Sequence, residues 1–272
     1  MDDIVKVIAL SLIEGITEFL PISSTGHLIV AAAALNFEAA GTVFEIFIQF
    51  GAVVAVIFYY RKTLVSHAGQ LKSNPMIRQF WLLILLAFIP AAGVGFLFGE
   101  QIETLLFSPL VVAISLIVGG IALLLVERLP RFRASRHDEP IEITEVTMRQ
   151  AVTVGLVQAL ALIPGMSRSG SSIVGGMLSG MNRHTATEFS FFLAIPTLGG
   201  ATVYKLMTSL DDLRFDELML LLLGTVLAGI FARFAMDWLL RFISGSSFVV
   251  FGYYRIVAGL IILAFVAGGL LS

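Results

Sequence analysis

Apolar residues fall in blocks along this chain, and short polar joins separate the blocks. Six continuous runs cover about 42–60, 80–98, 110–126, 185–204, 217–240 and 248–270. Each has roughly the 20 residues that a helix needs to cross a bilayer. Two further stretches, 1–37 and 150–180, keep an apolar background but are interrupted by proline and a cluster of hydroxyl and charged residues. The first has arms at about 2–20 and 24–37. Such short arms, polar where they join, predict re-entrant helical hairpins rather than spans. The joins predicted as loops are 61–79, the acidic turn around Glu100 and Glu103, and the long polar segment 128–149.

The join of the first hairpin reads EGITEFLPISSTGH, Glu14 to His27. Glu14 and Glu18 are four apart and share one helix face. Pro21 ends that helix, and Ser23, Ser24, Thr25 and Gly26 lead into a second one. Non-helical backbone at membrane depth survives only when buried in protein or lining a wet cavity, and ionisable groups there mark a functional site by default. The join of the second hairpin reads Pro164-Gly165-Met166-Ser167-Arg168-Ser169-Gly170-Ser171-Ser172. A guanidinium at the membrane centre costs about 2.5–3.5 kcal/mol or more and needs an anion, either Glu14 or Glu18 or a ligand. The hydroxyls, the glycines and a helix start near Gly170 predict a cradle for oxyanions.

The two joins are related. A gapless shift of 143 residues sets Pro21 on Pro164, Ser24 on Ser167, Leu35 on Leu178, Thr42 on Thr185 and Glu45 on Glu188. Each half then holds one re-entrant hairpin and three spans, and an odd number of spans turns the second half upside down. The expectation is an all-α polytopic membrane protein with an inverted-topology repeat, whose broken helices meet near the midplane. It forms a single membrane domain over 1–272, with repeats 1–127 and 150–272 joined by a cytoplasmic loop at 128–149.

Composition supports a membrane protein: 58% of the 272 residues are hydrophobic and 13% charged, against about 25% charged in soluble domains, and the mean hydropathy is +0.96. The net charge of −2 gives no sign of nucleic-acid binding, and the absence of cysteine excludes thiolate chemistry and disulfides. The acidic start, Met1-Asp2-Asp3, predicts no cleaved targeting signal. Placing 61–79 in the cytoplasm gathers Arg61, Lys62, Lys72, Arg78, Arg128, Arg131, Arg133, Arg136, Arg149, Arg183 and Arg241 on that side. Glu38, Glu100, Glu103 and the acids of 205–217 fall opposite, beside Lys205 and Arg214. This asymmetry predicts that the first hairpin enters from outside and the second from the cytoplasm.

Both joins resemble the signature motifs of the undecaprenyl pyrophosphate phosphatase family of bacitracin-resistance type. EGITEFLPISSTGH and PGMSRSG match, as does TATEFSFFLAIP at 185–196; where the family usually carries threonine this chain has Ser172. The resemblance implies hydrolysis of undecaprenyl diphosphate to undecaprenyl phosphate and inorganic phosphate, which recycles the carrier for peptidoglycan synthesis, in the bacterial cytoplasmic (inner) membrane. It also implies a divalent cation, Mg2+ or Ca2+.

The residues agree with that chemistry. Paired carboxylates Glu14 and Glu18 suit a hard dication that also bridges to diphosphate oxygens. Ser24 suits a nucleophile, with Glu18 and His27 as base and acid. Attack by His27, or by water activated by Glu18, stays open, because Glu18 cannot serve fully as both ligand and base. Arg168, Ser23, Thr25, Ser167, Ser169 and Ser172 are expected at phosphate oxygens, with Arg168 neutralising charge on the transferred phosphoryl group. The active site is expected to open toward the outer face. The rival class is a transporter or flippase of a lipid phosphate or anion, since inverted repeats with broken helices also build transporters. Glu45 and Glu188 read as buried struts, Gln49 and Gln158 as cavity lining, and His67, His137 and His184 as solvated loop residues. The Gly95–Gly99 and Gly176–Gly180 spacings read as close helix packing, with a homodimer seam as the second reading. Arg183 reads as an inert cytoplasmic residue.

Overall fold

The computed structural model describes residues 3–35, 41–130, 132, 142–208 and 218–271. The expectations for Glu38, Arg131, Arg133, Arg136, His137, Arg214, the acids of 211–217 and the Thr42 side chain lie outside the described residues. Every described element is a helix: α1 Asp3–Thr17, α2 Ser24–Leu35, α3 Gly41–Tyr59, α4 Arg61–Gln70, α5 Pro75–Leu106, α6 Pro109–Glu127, α7 Met148–Gln158, α8 Arg168–Ser179, α9 Arg183–Thr208, α10 Leu218–Ile243 and α11 Val249–Ala267. Short 3-10 turns occupy Ile143–Glu145 and Ala159–Leu162. This is an all-α polytopic membrane protein.

Four helices, α5, α6, α10 and α11, are long and apolar enough to cross a membrane. The expected spans at 42–60 and 185–204 form as α3 and α9, which pack on each other at the centre. There α9 is covered on every side from Phe189 to Ala194, and Thr185, Thr187 and Ser190 are buried with it. Its hydropathy is lower because its polar side chains face protein rather than lipid. The predicted loop at 61–79 is largely helix α4, which bends 67° from α3. The acidic turn at Glu100 and Glu103 is no loop either: α5 runs 32 residues, from an Asn74 cap whose side chain accepts from the Met76 N–H. Nothing in the sequence stops it there, because glutamate is a good helix former and Pro90 is accommodated inside the helix.

The first hairpin breaks earlier than expected, at Thr17. Pro21 has no N–H to give the Thr17 carbonyl, and its ring crowds that carbonyl, so its effect is felt four residues upstream. Glu18 therefore stands in the turn, although its N–H still bonds the Glu14 carbonyl at 2.9 Å and the two carboxylates keep their helical relation. In the second hairpin, α8 begins at Arg168 rather than Gly170, because Ser167 caps it and accepts from the Gly170 N–H at 3.1 Å.

The halves pack in exchange. Helix α1 lies on α10 as α7 lies on α5, and α3 lies on α10 as α9 lies on α5; α3 meets α9 and α6 meets α11 across the centre. Gly51 with Gly229, and Gly120 with Gly252, let two of these seams close to backbone contact. Of the two spacings predicted as packing faces, one holds in part: a Cβ on Gly176 would lie 2.8 Å from the Ala186 Cβ, so α8 packs closely on α9 there. A side chain at Gly99 would meet nothing within 4 Å, and one at Gly95 would meet only Leu162. Gly180 instead ends α8 in a left-handed cap at φ 109°, with the Met181 N–H bonding the Gly176 carbonyl at 3.0 Å.

At the cytoplasmic end of the topology predicted above, Arg183 is no inert surface residue. Its Nε and Nη2 hold both oxygens of buried Glu127, at 2.9 and 2.5 Å, and Nη2 also reaches the Phe132 carbonyl. Glu127 in turn accepts from the Phe248 N–H at 2.9 Å. His67 is buried against the Phe80 and Trp81 rings. His184 sits in the first turn of α9, half-buried, 3.9 Å from Glu188.

Candidate active site

The two proline breaks meet although about 140 residues separate them in sequence. Arg168 Nη2 donates to Glu18 Oε1 at 3.1 Å, and the Ser24 hydroxyl donates to Glu18 Oε2 at 2.5 Å. One carboxylate thus joins the serine of one break to the arginine of the other. Arg168 Nη1 is held by the Ser190 carbonyl at 3.0 Å, the guanidinium lies 5.4 Å from the centre of the Phe19 ring, and its buried Nε has no partner. Only 9% of the Arg168 side chain and 5% of the Glu18 side chain are exposed, so this ion pair is poorly screened by water.

Both breaks are built alike. Ser23, at φ 71°, and Ser167, at φ 68°, are the non-glycine residues with positive φ among the described residues. Each precedes a 12-residue helix and offers its hydroxyl to the N–H of a glycine three residues on, Gly26 at 3.4 Å and Gly170 at 3.1 Å. The matched caps set Ser23-Ser24-Thr25-Gly26 beside Ser167-Arg168-Ser169-Gly170, one residue from the gapless shift. Ser24 and Arg168 occupy equivalent first positions of their helices. Both helix N-termini carry unpaired N–H groups and favour an anion between them.

A cavity of about 180 Å³ opens beside this junction. Glu18, Ser23, Ser24, Thr25, Ser167 and Arg168 give its wall polar groups, and Ala91, Ala161, Leu162, Leu198 and Ala201 give it apolar surface. Gln49 and Gln158 both line it, as the sequence suggested. Gln158 is fully buried, with its Oε1 unpartnered and its Nε2 3.5 Å from the Thr197 hydroxyl. Its wall thus offers both charged or hydroxyl groups and apolar surface to a ligand.

Several expected phosphate ligands point elsewhere. The Ser169 hydroxyl bonds the Leu20 carbonyl at 2.8 Å and ties the breaks together. The Ser172 hydroxyl is engaged by the Arg168 carbonyl at 2.9 Å and the Ser190 hydroxyl at 2.7 Å. Neither lines the cavity. His27 turns from Ser24: its Nδ1 lies 2.7 Å from the Ser23 carbonyl and its Nε2 2.5 Å from the Tyr254 hydroxyl. The carbonyl can only accept, so Nδ1 carries the proton and Nε2 takes that of Tyr254. Glu14 is 1% exposed with Oε1 unpartnered, close behind Glu18 rather than in the cavity wall. Glu45 is exposed on α3, and Glu188 is half-buried, so only the latter resembles the strut expected of both.

Sequence reasoning passed over Arg255. It lies mid-span in α11, 1% exposed, and donates to five backbone carbonyls: Leu116 at 3.3 Å, Pro21 at 3.2 Å, Ser115 at 3.2 Å, Gly165 at 3.0 Å and Met166 at 3.0 Å. The signal was present, since an arginine inside an apolar run is as costly as Arg168.

A family model described as bacitracin resistance protein BacA matches residues 7–261, which include both breaks and all but the last turns of α11. Undecaprenyl-diphosphatase 1 of Burkholderia lata is 46% identical over 263 residues, covering 96% of this chain and 94% of that protein. Undecaprenyl-diphosphatase 3 of Acinetobacter baylyi is 46% identical over 262 residues, covering 95% and 96%. Undecaprenyl-diphosphatase of Ralstonia pickettii is 43% identical over 276 residues, covering 96% and 94%. With its matched region spanning nearly the whole chain, the protein belongs to the bacitracin resistance protein BacA family.

Proposed function

We propose that this protein hydrolyses undecaprenyl diphosphate to undecaprenyl phosphate and inorganic phosphate in the bacterial cytoplasmic membrane, which recycles the lipid carrier and underlies bacitracin resistance. The observation that carries the reading is the Ser24–Glu18–Arg168 junction. It joins a hydroxyl fit to act as nucleophile to a carboxylate fit to act as base, with a guanidinium in the wall of the adjoining cavity. A transporter of lipid phosphate needs the arginine but has no use for a serine hydrogen-bonded to a carboxylate.

In the proposed reaction Ser24 Oγ passes its proton to Glu18 Oε2 and attacks the terminal phosphorus. The P–O bond to the bridging oxygen breaks, and undecaprenyl phosphate leaves. Water then cleaves the phosphoserine, and the proton held by Glu18 returns to Ser24. Arg168, the Ser23–Thr25 turn and Ser167 hold phosphate oxygens, where stabilising charge contributes most to phosphoryl transfer. His27 acts through the Ser23 carbonyl and keeps the positive-φ turn in place. Ser169 and Ser172 act as struts.

The orphaned Glu14 oxygen fits a divalent cation, because a buried carboxylate oxygen without a donor calls for a proton or a cation. Among the described residues no three His, Cys, Asp or Glu side chains gather around one point. Glu14 would therefore hold Mg2+ or Ca2+ together with diphosphate oxygens, as Mg2+ commonly binds, while Glu18, the second ligand expected from the sequence, is engaged by Ser24 and Arg168 and serves as the base. The ion would supply neutralising charge.

The inverted repeat belongs to this proposal too. It is supported by the exchanged helix pairings and the matched serine caps. With the positive-inside rule it puts the mouth of the first hairpin on the outer side. Phosphate release from undecaprenyl diphosphate by the purified protein in detergent tests the activity, and a parent protein that releases none overturns it. Orientation is tested by Thr25→Cys, a cavity-lining position in a chain without cysteine. An impermeant thiol reagent should reach it from outside oriented vesicles, with substrate slowing the labelling. Labelling from the cytoplasmic side alone would reverse the assigned face.

A further inference from the structure

We propose that Arg255 is a positioning residue of this phosphatase: from α11 it locks the two breaks in register and aims the Ser167 N–H into the cavity. This rests on the function proposed above and adds a residue from outside both motifs.

Three of the five carbonyls that Arg255 holds belong to the breaks. Pro21 stands two residues before the strained Ser23, and Gly165 and Met166 stand directly before the strained Ser167. A peptide unit is planar, with its C=O and N–H opposed. Fixing the Met166 carbonyl at 3.0 Å from Nη2 therefore turns the Ser167 N–H away from Arg255, and Ser167 lines the cavity. The two remaining carbonyls, Ser115 and Leu116, anchor the guanidinium to α6. The clamp thus ties the two breaks, α6 and α11 through one rigid planar group. Only an arginine presents enough donors in one plane for this, since an ammonium has three.

The surroundings are shaped to the guanidinium. A Cβ on Gly119 would overlap Nη2 and Cζ, and one on Gly170 would lie 2.9 Å from Nη1. Among the described residues no carboxylate pairs with Arg255, so its charge is balanced by carbonyl dipoles alone. That fixed charge stands behind the turn that leads into α8, across the peptide from the cavity, and its field favours an oxyanion there.

The test separates positioning from mere support of the fold. Arg255→Lys keeps the charge and loses the fork. Gly119→Ala pushes the guanidinium aside and touches no motif residue. Gly259→Ala crowds the same α6–α11 seam against the Ala113 carbonyl, away from Arg255. Each is purified, checked by gel filtration and melting temperature, and assayed for kcat and KM on undecaprenyl diphosphate beside the parent. Arg255→Lys and Gly119→Ala should lower kcat about 30- to 100-fold, with KM within about threefold. Gly259→Ala should melt earlier with kcat unchanged. The proposal is overturned if the folded Arg255→Lys and Gly119→Ala proteins keep parental kcat, if the loss appears in KM alone, or if Gly259→Ala loses as much kcat as Gly119→Ala. If Arg255→Lys does not fold, Gly119→Ala carries the same comparison. An inactive parent would refute the phosphatase reading rather than this one.

Discussion

Ser24→Ala is expected to lower kcat by on the order of 10³-fold or more while leaving KM within a few-fold, and Glu18→Gln to lose nearly as much. The double variant should lose little beyond either single one. In the proposed mechanism nucleophile and base form one unit: the hydroxyl lies 2.5 Å from Glu18 Oε2, so removing either end would disable the same proton transfer. Glutamine keeps the shape of Glu18 but cannot take a proton, and it leaves Arg168 without its buried counter-charge. The measurement is single-turnover phosphate release with acid quenching. The parent should yield an acid-stable phosphoester on the peptide carrying Ser24. An acid-labile adduct on His27, or a Ser24→Ala protein within tenfold of the parent, would move the nucleophile elsewhere. Both His27 nitrogens are occupied, by the Ser23 carbonyl and the Tyr254 hydroxyl, which is why the serine is preferred.

Much of this site could be read in the sequence because its cost in a membrane is high. Two carboxylates and an arginine at membrane depth must find each other or a ligand, and they do, through Glu18 and Arg168. Proline located both breaks for a local reason, the missing N–H. The extent of each element was harder to read. Where an element stops depends on caps and neighbours, so α5 continued through Glu100 and Glu103 and α8 began at a serine cap. The two serine caps lie one residue off the gapless shift, and they were not legible because a positive-φ serine leaves no mark in the sequence; such a conformation is usually betrayed by glycine.

The directions of side chains were the least legible. Hydroxyls at Ser23, Ser24, Thr25, Ser167, Ser169 and Ser172 all suit phosphate, yet helical geometry turns Ser169 and Ser172 onto protein acceptors and leaves the others on the cavity. His27 is set by Tyr254, which is 227 positions away in sequence and stacks on its ring. Arg255 illustrates a different blindness. A charged residue in an apolar run invites a search for its opposite charge, but here the partners are backbone carbonyls of broken helices, and carbonyls have no letter in the sequence.

Arg168→Lys should cost about 10²- to 10³-fold in kcat despite preserving the charge. The guanidinium spans two partners, with Nη2 on Glu18 and Nη1 on the Ser190 carbonyl, and still has a buried Nε unpaired. A lysine ammonium can take the Glu18 contact or the Ser190 contact, but its single nitrogen cannot hold both and also face a phosphoryl group. The loss should fall on kcat more than KM, because the fork's two-point grip is aligned with the transferred phosphoryl group in the transition state rather than with the ground state. Arg183 is unsuitable as the control, since its fork grips Glu127 and Arg183→Lys should itself loosen the α6–α9 contact. Arg78→Lys, exposed near the start of α5, is the proper comparison and should match the parent. Near-parental turnover in Arg168→Lys would mean that charge alone matters at this position. The Glu18–Arg168 pair would then be a brace between the breaks, and the phosphate would have to be gripped by the two helix N-termini instead.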